Sequence, residues 1–341
     1  MKTDITRKRF LSGAGAMALA GPLAFAARPA KAAKRYVIKF GIDLPLNDPL
    51  TDHAIAASKE IAAATKGAVE VQVFPNNELG NDTHMLSEVR SGAIQMMSIG
   101  DNILATLVPS AGIDNLGFAF QKATTAWAAL DGAVGDIVRS DIEKIGLQPM
   151  HAIWDLGFRE ITSSTRRIET VGDLHGFKIR VPPSPISLSL FRDLGASPVT
   201  MNFAELYTAL QTRTVDGQET PLATIEASKY FEVQKYCALT NHMWVGNWIL
   251  MNGDYWKSLP ANYRDIIADT FNAQAAKERV ANDALGSSLQ KELTSQGLIF
   301  SEPDTAPFRA LLAESGFYKR WHEKFGTKLW STLEKYSGTL A

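Results

Sequence analysis

The chain has 341 residues, 45% of them hydrophobic and 21% charged, an ordinary globular composition long enough for two domains and a sizeable core. Its formal charge is −1, but residues 1–32 hold Lys2, Arg7, Lys8, Arg9, Arg28 and Lys31 against Asp4 alone; taking those six basic residues and one acid from totals of 35 and 36 leaves −6. That balance excludes general binding to nucleic acid or anionic lipid, both of which need a basic face.

Residues 1–32 read as an export signal peptide and are set apart from the fold. Thr6-Arg-Lys-Arg-Phe-Leu11 supplies the charge, Phe10 to Ala27 is uncharged and rich in Ala and Gly, and Ala30-Lys31-Ala32 is a small-x-small cleavage site. The arrangement resembles a twin-arginine signal with Lys8 in the second arginine's place, which leaves the general secretory (Sec) route open. Cys237 is the single cysteine, so neither an internal disulfide nor a CxxC site exists. Export without disulfides predicts a bacterial periplasm.

From Tyr36 the elements alternate: a strand through Val37, Ile38 and Phe40, an alanine-rich helix from about Leu50 to Thr65, a strand Val69 to Phe74, a helix around Thr83 to Arg90 and a strand Ile94 to Ile99. A helix near Thr124 to Ile145 and a strand Gln148 to Trp154 follow. This β-α-β-α-β order predicts an α/β fold with mixed, mostly parallel sheets. A second set begins near Gly157, with strands around Ile161, Lys178 to Val181 and Pro198 to Thr200, and helices Ser184 to Leu194 and Phe203 to Thr212. No linker separates the sets, so two lobes joined by crossing strands are expected, with a hinge near residues 154–158 and 238–250. Residues 33–155 with about 240–260 make the first lobe, and 156–239 with part of 298–341 the second. Ala261 to about Gly297 has helical spacing without proline, which gives a helix of roughly 55 Å if unbroken; a break near Gly286-Ser-Ser288 is the alternative.

Within the second set, Phe177, Ile179 and Val181 share one face of a strand while Lys178 and Arg180 share the other, and Pro182-Pro183 ends it. A cation there is either a solvated edge residue or a group presented to a ligand cleft.

No catalytic or metal-binding constellation emerges. His53, His84, His151, His175, His242 and His322 lack metal-ligand spacing, His322-Glu323 lacks the second histidine of a zincin, and no Gly-x-Ser-x-Gly or Walker loop occurs. No cofactor, metal or catalytic residue is assigned, and a binding protein is the better default.

Gly157-Phe-Arg-Glu-Ile-Thr-Ser-Ser164, Asp173-Leu-His-Gly-Phe-Lys-Ile-Arg-Val-Pro182, Leu194-Gly-Ala-Ser-Pro-Val199, Glu205-Leu-Tyr-Thr-Ala-Leu-Gln211 and Val215-Asp-Gly-Gln-Glu-Thr-Pro221 follow in order. With Phe231-Glu-Val-Gln-Lys-Tyr236 and Thr240-Asn-His242 they closely resemble the substrate-binding subunit of TRAP transporters, the DctP-like family. The resemblance runs from about Tyr36 to the C-terminus.

It implies a two-lobed periplasmic binding protein with a hinged ligand cleft and a long helix spanning both lobes. Such a protein closes on an organic acid, here expected to be a monocarboxylate, and delivers it to small DctQ-like and large DctM-like membrane subunits. By the family pattern Arg180 is the arginine that grips the ligand carboxylate, Arg159 either a second arginine near the acid or part of an ion pair, and Phe203 an aromatic packed on the ligand. Thr220 replaces an Asn common in the family and offers only one donor. Asp43, Asp101 and Asn102 follow first-lobe strands where polar contacts are expected, and Trp154, with Trp244 and Trp248, either walls the pocket or fills the core. An exported hydrolase or lyase using the same cleft is the rival reading.

Overall fold

Twelve strands form two six-stranded sheets in the computed structural model, which describes residues 35–340. The expected export signal lies outside the described residues. The first sheet takes β1 (Tyr36–Gly41), β2 (Val69–Phe74), β3 (Met96–Gly100), β4 (Leu147–Pro149), β5 (Trp154–Phe158) and β11 (Trp244–Asn252). The second takes β6 (Glu160–Ser163), β7 (Lys178–Val181), β8 (Ser197–Thr200), β9 (Gly217–Thr220), β10 (Tyr236–Ala238) and β12 (Ile299–Ser301). Their orders are β2-β1-β3-β11-β4, with β5 also on β11, and β12-β10-β6-β9-β7-β8.

The pairings give each sheet a common direction with one exception. β1, β2 and β3 are mutually parallel and β11 runs against β3, β4 and β5; β7, β8 and β9 are parallel and β6 runs against β9 and β10. The two reversed strands are the two that arrive from the other sheet. β5 ends at Phe158 and β6 starts at Glu160, while β10 ends at Ala238 and β11 starts at Trp244. A chain that leaves one sheet at a strand's carboxyl end and enters the facing sheet at once must run away from the gap between them, against its neighbours. The gap therefore faces the carboxyl ends of the other strands, where open α/β sheets bind ligands.

The long helix is unbroken over Ala261–Ser295, about 52 Å at 1.5 Å per residue, and it passes straight through Gly286. Its Phe271 belongs to the apolar cluster behind the first sheet with Phe40 and Trp154, and its Leu293 to the cluster behind the second with Leu206 and Leu298. A third cluster runs between the lobes, from Ile99 and Val138 to Phe177, Ile179 and Leu190. Burial of each such side chain contributes about 1.5–3 kcal/mol.

Two expected elements are divided. The helix expected over Thr124 to Ile145 is two, Ala123–Asp131 and Ala133–Lys144, because the chain turns at Gly132, where a Cβ would lie 2.6 Å from the Ala128 carbonyl. The strand expected over Gln148 to Trp154 is split into β4 and β5. Within residues 298–341, β12 completes the second sheet while the helix Phe317–Ser337 returns to pack on residues 109–115 and on the two helices around Gly132.

Candidate functional site

Arg180 occupies the cationic position of β7 that the alternation predicts. Phe177, Ile179 and Val181 are fully buried, Lys178 is exposed, and Arg180 is buried with 2% exposure. The contrast between the two cations comes from their place along the strand: Lys178 starts it and Arg180 lies near its carboxyl end, under the first lobe. Its Nε donates to the Met201 carbonyl at 2.9 Å. Among the described residues no carboxylate lies within ion-pair distance of it. Burial lowers its pKa, yet a guanidinium stays charged in proteins.

The space in front of Arg180 is a narrow cavity of about 30 Å³, built from strand ends of both sheets. Asp43 and Leu44 follow β1; Gly100, Asn102 and Ile103 end and follow β3; Pro182 follows β7, Phe203 follows β8, and Thr220 ends β9. Leu156 comes from β5, Arg159 from the first crossing and Asn247 from β11. Gly100 is required by close approach: a Cβ there would sit 2.7 Å from Asn102 Oδ1 and 3.3 Å from Asn247 Oδ1.

Arg159 lines this cavity and is also ion-paired. Its Nε bonds the Glu219 carboxylate, its Nη2 donates to Glu219 Oε1 at 3.1 Å and to the Glu219 carbonyl at 2.6 Å, and His242 Nε2 lies 3.3 Å from Glu219 Oε2. Glu219 is held below the ordinary glutamate range although burial opposes this, because Arg159 and His242 face it. His242 is pushed down by burial, so it is a neutral member of the group. A second acidic pair, Asp43 and Asp82, lies near Arg180 but beyond ion-pair distance. Burial and the neighbouring Asp82 raise Asp43 well above the usual carboxylate range, and burial raises Asp82 against the pull of Arg180 and the Phe203 N–H.

Two expected contacts stand elsewhere. Asp101 is fully buried behind the cavity, accepting from Asn115 Nδ2 at 2.8 Å and from the Gly246 N–H at 2.7 Å; the helix that starts at Asp101 turns it inward and gives Asn102 to the cavity. Trp154 is core, tilted against Phe271 with ring centroids 6.3 Å apart, since it sits a strand repeat deeper than Leu156. Trp244 and Trp248 are likewise in the inter-lobe apolar cluster, with Trp244 Nε1 donating to Asp155 Oδ1 at 2.8 Å. Asn247, Thr224 and Asp82 were not expected. Asn247 had a signal: it is a lone amide in the run Trp244-Val-Gly-Asn-Trp-Ile-Leu-Met251, and its Oδ1 is buried without a hydrogen-bond partner among the described residues. Thr224 Oγ1 donates to Asp48 Oδ2 at 3.2 Å and so ties the second lobe to the first.

At the crossings, Glu160 is 4% exposed and accepts from the Asn241 N–H at 3.0 Å. Burial pushes its carboxyl up to about 8. Between the unfolded value, about 4.3, and about 8, the folded chain binds more protons at this group than the unfolded chain does. Its contribution is therefore fully present below the lower value and lost as pH rises through the upper one. Glu160→Gln keeps the acceptor and removes the titration; it is expected to flatten the fall in stability between pH 5 and 8, a fall of at most about 1.4 kcal/mol per pH unit for one proton. Urea titrations at several pH values measure this, and parallel profiles for the two proteins would contradict it.

The model for bacterial extracellular solute-binding protein family 7, DctP, matches residues 40–323. The 2,3-diketo-L-gulonate-binding periplasmic protein YiaO of Escherichia coli is 34% identical over 68% of this chain and 71% of its own length. The C4-dicarboxylate-binding periplasmic protein DctP of Rhodobacter capsulatus is 30% identical over 88% of each chain. Among solved structures, the sugar acid binding protein DctPAm of Advenella mimigardefordensis, in complex with galactonate, superposes with a TM-score of 0.86 at 29% identity, covering 90% of this chain and 99% of that one. With two sheets facing one gap, two crossings and a helix along both lobes, this chain belongs to bacterial extracellular solute-binding protein family 7, the DctP-like solute receptors of TRAP transporters.

Proposed function

We propose that this protein is a periplasmic receptor that closes on a hydroxylated organic monocarboxylate and hands it to TRAP membrane subunits of the small DctQ-like and large DctM-like kinds. One observation carries the reading: Arg180 is a buried cation with no anionic partner in ion-pair distance, in a cavity to which both lobes contribute. A ligand carboxylate supplies the missing charge, and the planar fork of guanidinium matches its two oxygens. Arg159, anchored by Glu219, adds positive potential beside it. The rest of the wall favours hydroxyl groups. Asn102, Asn247 and Thr220 are neutral donors and acceptors, and the Asp43–Asp82 pair repels a second carboxylate at the first-lobe end. The relatives are binding proteins for a diketo acid, for C4 dicarboxylates and for galactonate, so the finer choice rests on these residues. The signal-like residues 1–32 support export, and the two crossings support closure by a hinge.

A thermal-shift screen of the mature protein against aldonates, hydroxy acids and dicarboxylates tests the proposal. A ligand at 100 times its Kd is expected to stabilise by about 2.7 kcal/mol, and to be recovered unchanged, which separates a receptor from a hydrolase or lyase. Equal or stronger stabilisation by dicarboxylates would overturn the monocarboxylate assignment.

A further inference from the structure

The cleft holds a second cavity that binding of a small acid leaves unused. It is open to solvent, with a volume of about 330 Å³, and lies between Pro45, Asn76 and Asn77 of the first lobe and Tyr207, Lys229 and Tyr230 of the second. Phe203 is the residue common to its lining and to that of the Arg180 cavity. The ring packs against the apolar clusters behind both sheets and meets Tyr230 edge-on, with centroids 6.2 Å apart. Its backbone is fixed as well, since Phe203 opens the turn Phe203–Glu205 that runs straight into the helix Leu206–Gln211. Asn77 of the second lining is bonded to a residue of the first, its Nδ2 donating to the Asp43 carbonyl at 3.0 Å, while its Oδ1 is buried without a partner among the described residues.

We infer that Phe203 is a partition that sets the greatest length of acid the receptor accepts, and that the second cavity is a latent subsite for a ring attached at the far end of the ligand. The inference rests on the proposed acid-binding function. Tyr207, Tyr230 and Pro45 offer flat apolar faces to such a ring, and Asn77 offers an acceptor where the linking chain would pass. Phe203 stands between the acid and the ring, and truncating it removes the side chain that walls both spaces.

Calorimetry with four-carbon and six-carbon aldonates, each plain and as the benzyl ether of its terminal hydroxyl, tests this. The wild type is expected to bind plain acids and to bind their benzyl ethers far more weakly. Phe203→Ala should bind the ethers roughly tenfold to a hundredfold more tightly than the wild type does, the worth of burying an aryl ring; Phe203→Leu, the gentler change for folding, should gain less in the same direction. Adding Tyr207→Ala to Phe203→Ala should remove the gain for the ethers and leave plain-acid binding where Phe203→Ala put it. Binding of plain acids with no gain for the ethers in either variant overturns the partition and leaves the acid receptor standing, and so does a wild type that binds ether and plain acid equally. Failure of all four acids to bind wild type or variants overturns the proposed ligand class, and this inference with it.

Discussion

Arg180→Ala is expected to weaken ligand binding roughly 30-fold to several thousand-fold. The ligand carboxylate would be buried against a wall that has lost its one unpaired cation, and truncating one partner of a desolvated charge pair typically costs about 2–5 kcal/mol, each 1.4 kcal/mol being about tenfold. Arg180→Lys separates charge from geometry. Lysine keeps the cation without the fork, so affinity should fall between alanine and wild type. The apo fold should survive both changes, because Phe177, Ile179 and Val181 hold the strand from its other face and the Arg180 side chain makes one hydrogen bond among the described residues, to Met201. Calorimetry with the acid found by the screen, alongside apo melting, decides the matter. Near-wild-type affinity in Arg180→Ala would remove the clamp, and a collapsed apo melting temperature would make Arg180 structural instead.

Glu219→Gln should have its main effect on the apo protein, a loss of about 3–5 kcal/mol, the usual result of leaving a buried charge without its partner. Glu219 is fully buried and is the carboxylate that faces both Arg159 and His242, so its neutralisation strands the Arg159 guanidinium at 3% exposure. Replacing both members, Arg159→Met with Glu219→Leu, should recover much of that loss, since a matched apolar pair often equals a buried ion pair in stability. The same double variant should bind acid more weakly, because the potential beside Arg180 is gone. Denaturant unfolding of the three apo proteins measures the stability term. A Glu219→Gln protein as stable as wild type would show that Arg159 does not depend on this carboxylate.

Period-two alternation, a strand-ending Pro-Pro and a cation on the polar face set Arg180 near a strand's end but left it either solvated or turned to a cleft; the family resemblance pointed to the cleft, and the structure buries Arg180 beside one. The alternating elements from Tyr36 and the uninterrupted spacing after Pro260 were equally local, which is why the lobes and the long helix could be anticipated. The choice between Asp101 and Asn102 was not of that kind. Both begin the same short helix, and which of the two turns to the cavity is set by Asn115 and Gly246, distant in sequence, that claim the Asp101 carboxylate. Trp154 and Leu156 share a strand face, and depth below the strand end, which no pattern encodes, makes one core and the other cavity wall. Asn247 and Thr224 reach the site through pairings made after long loops close. Gly132 shows the opposite failure: a helical pattern continued across a residue whose lack of a Cβ was the break itself.

The two reversed strands bear on how far the lobes can be taken apart. β6 lies between β10 and β9, and β11 between β3 and β4, so each crossing feeds an interior strand and not an edge. A fragment ending after β5 would lack the middle of the first sheet, leaving β3 with an open edge and β4 and β5 without a partner, and such edges invite aggregation. A fragment beginning at β6 and ending at β10 would complete neither sheet, because β11 and β12 come later. Gene truncation therefore cannot yield either lobe as an independent folding unit, and an exchange of specificity with a relative must proceed by replacing strand-end loops within one chain. Folding handles the two halves as a single module.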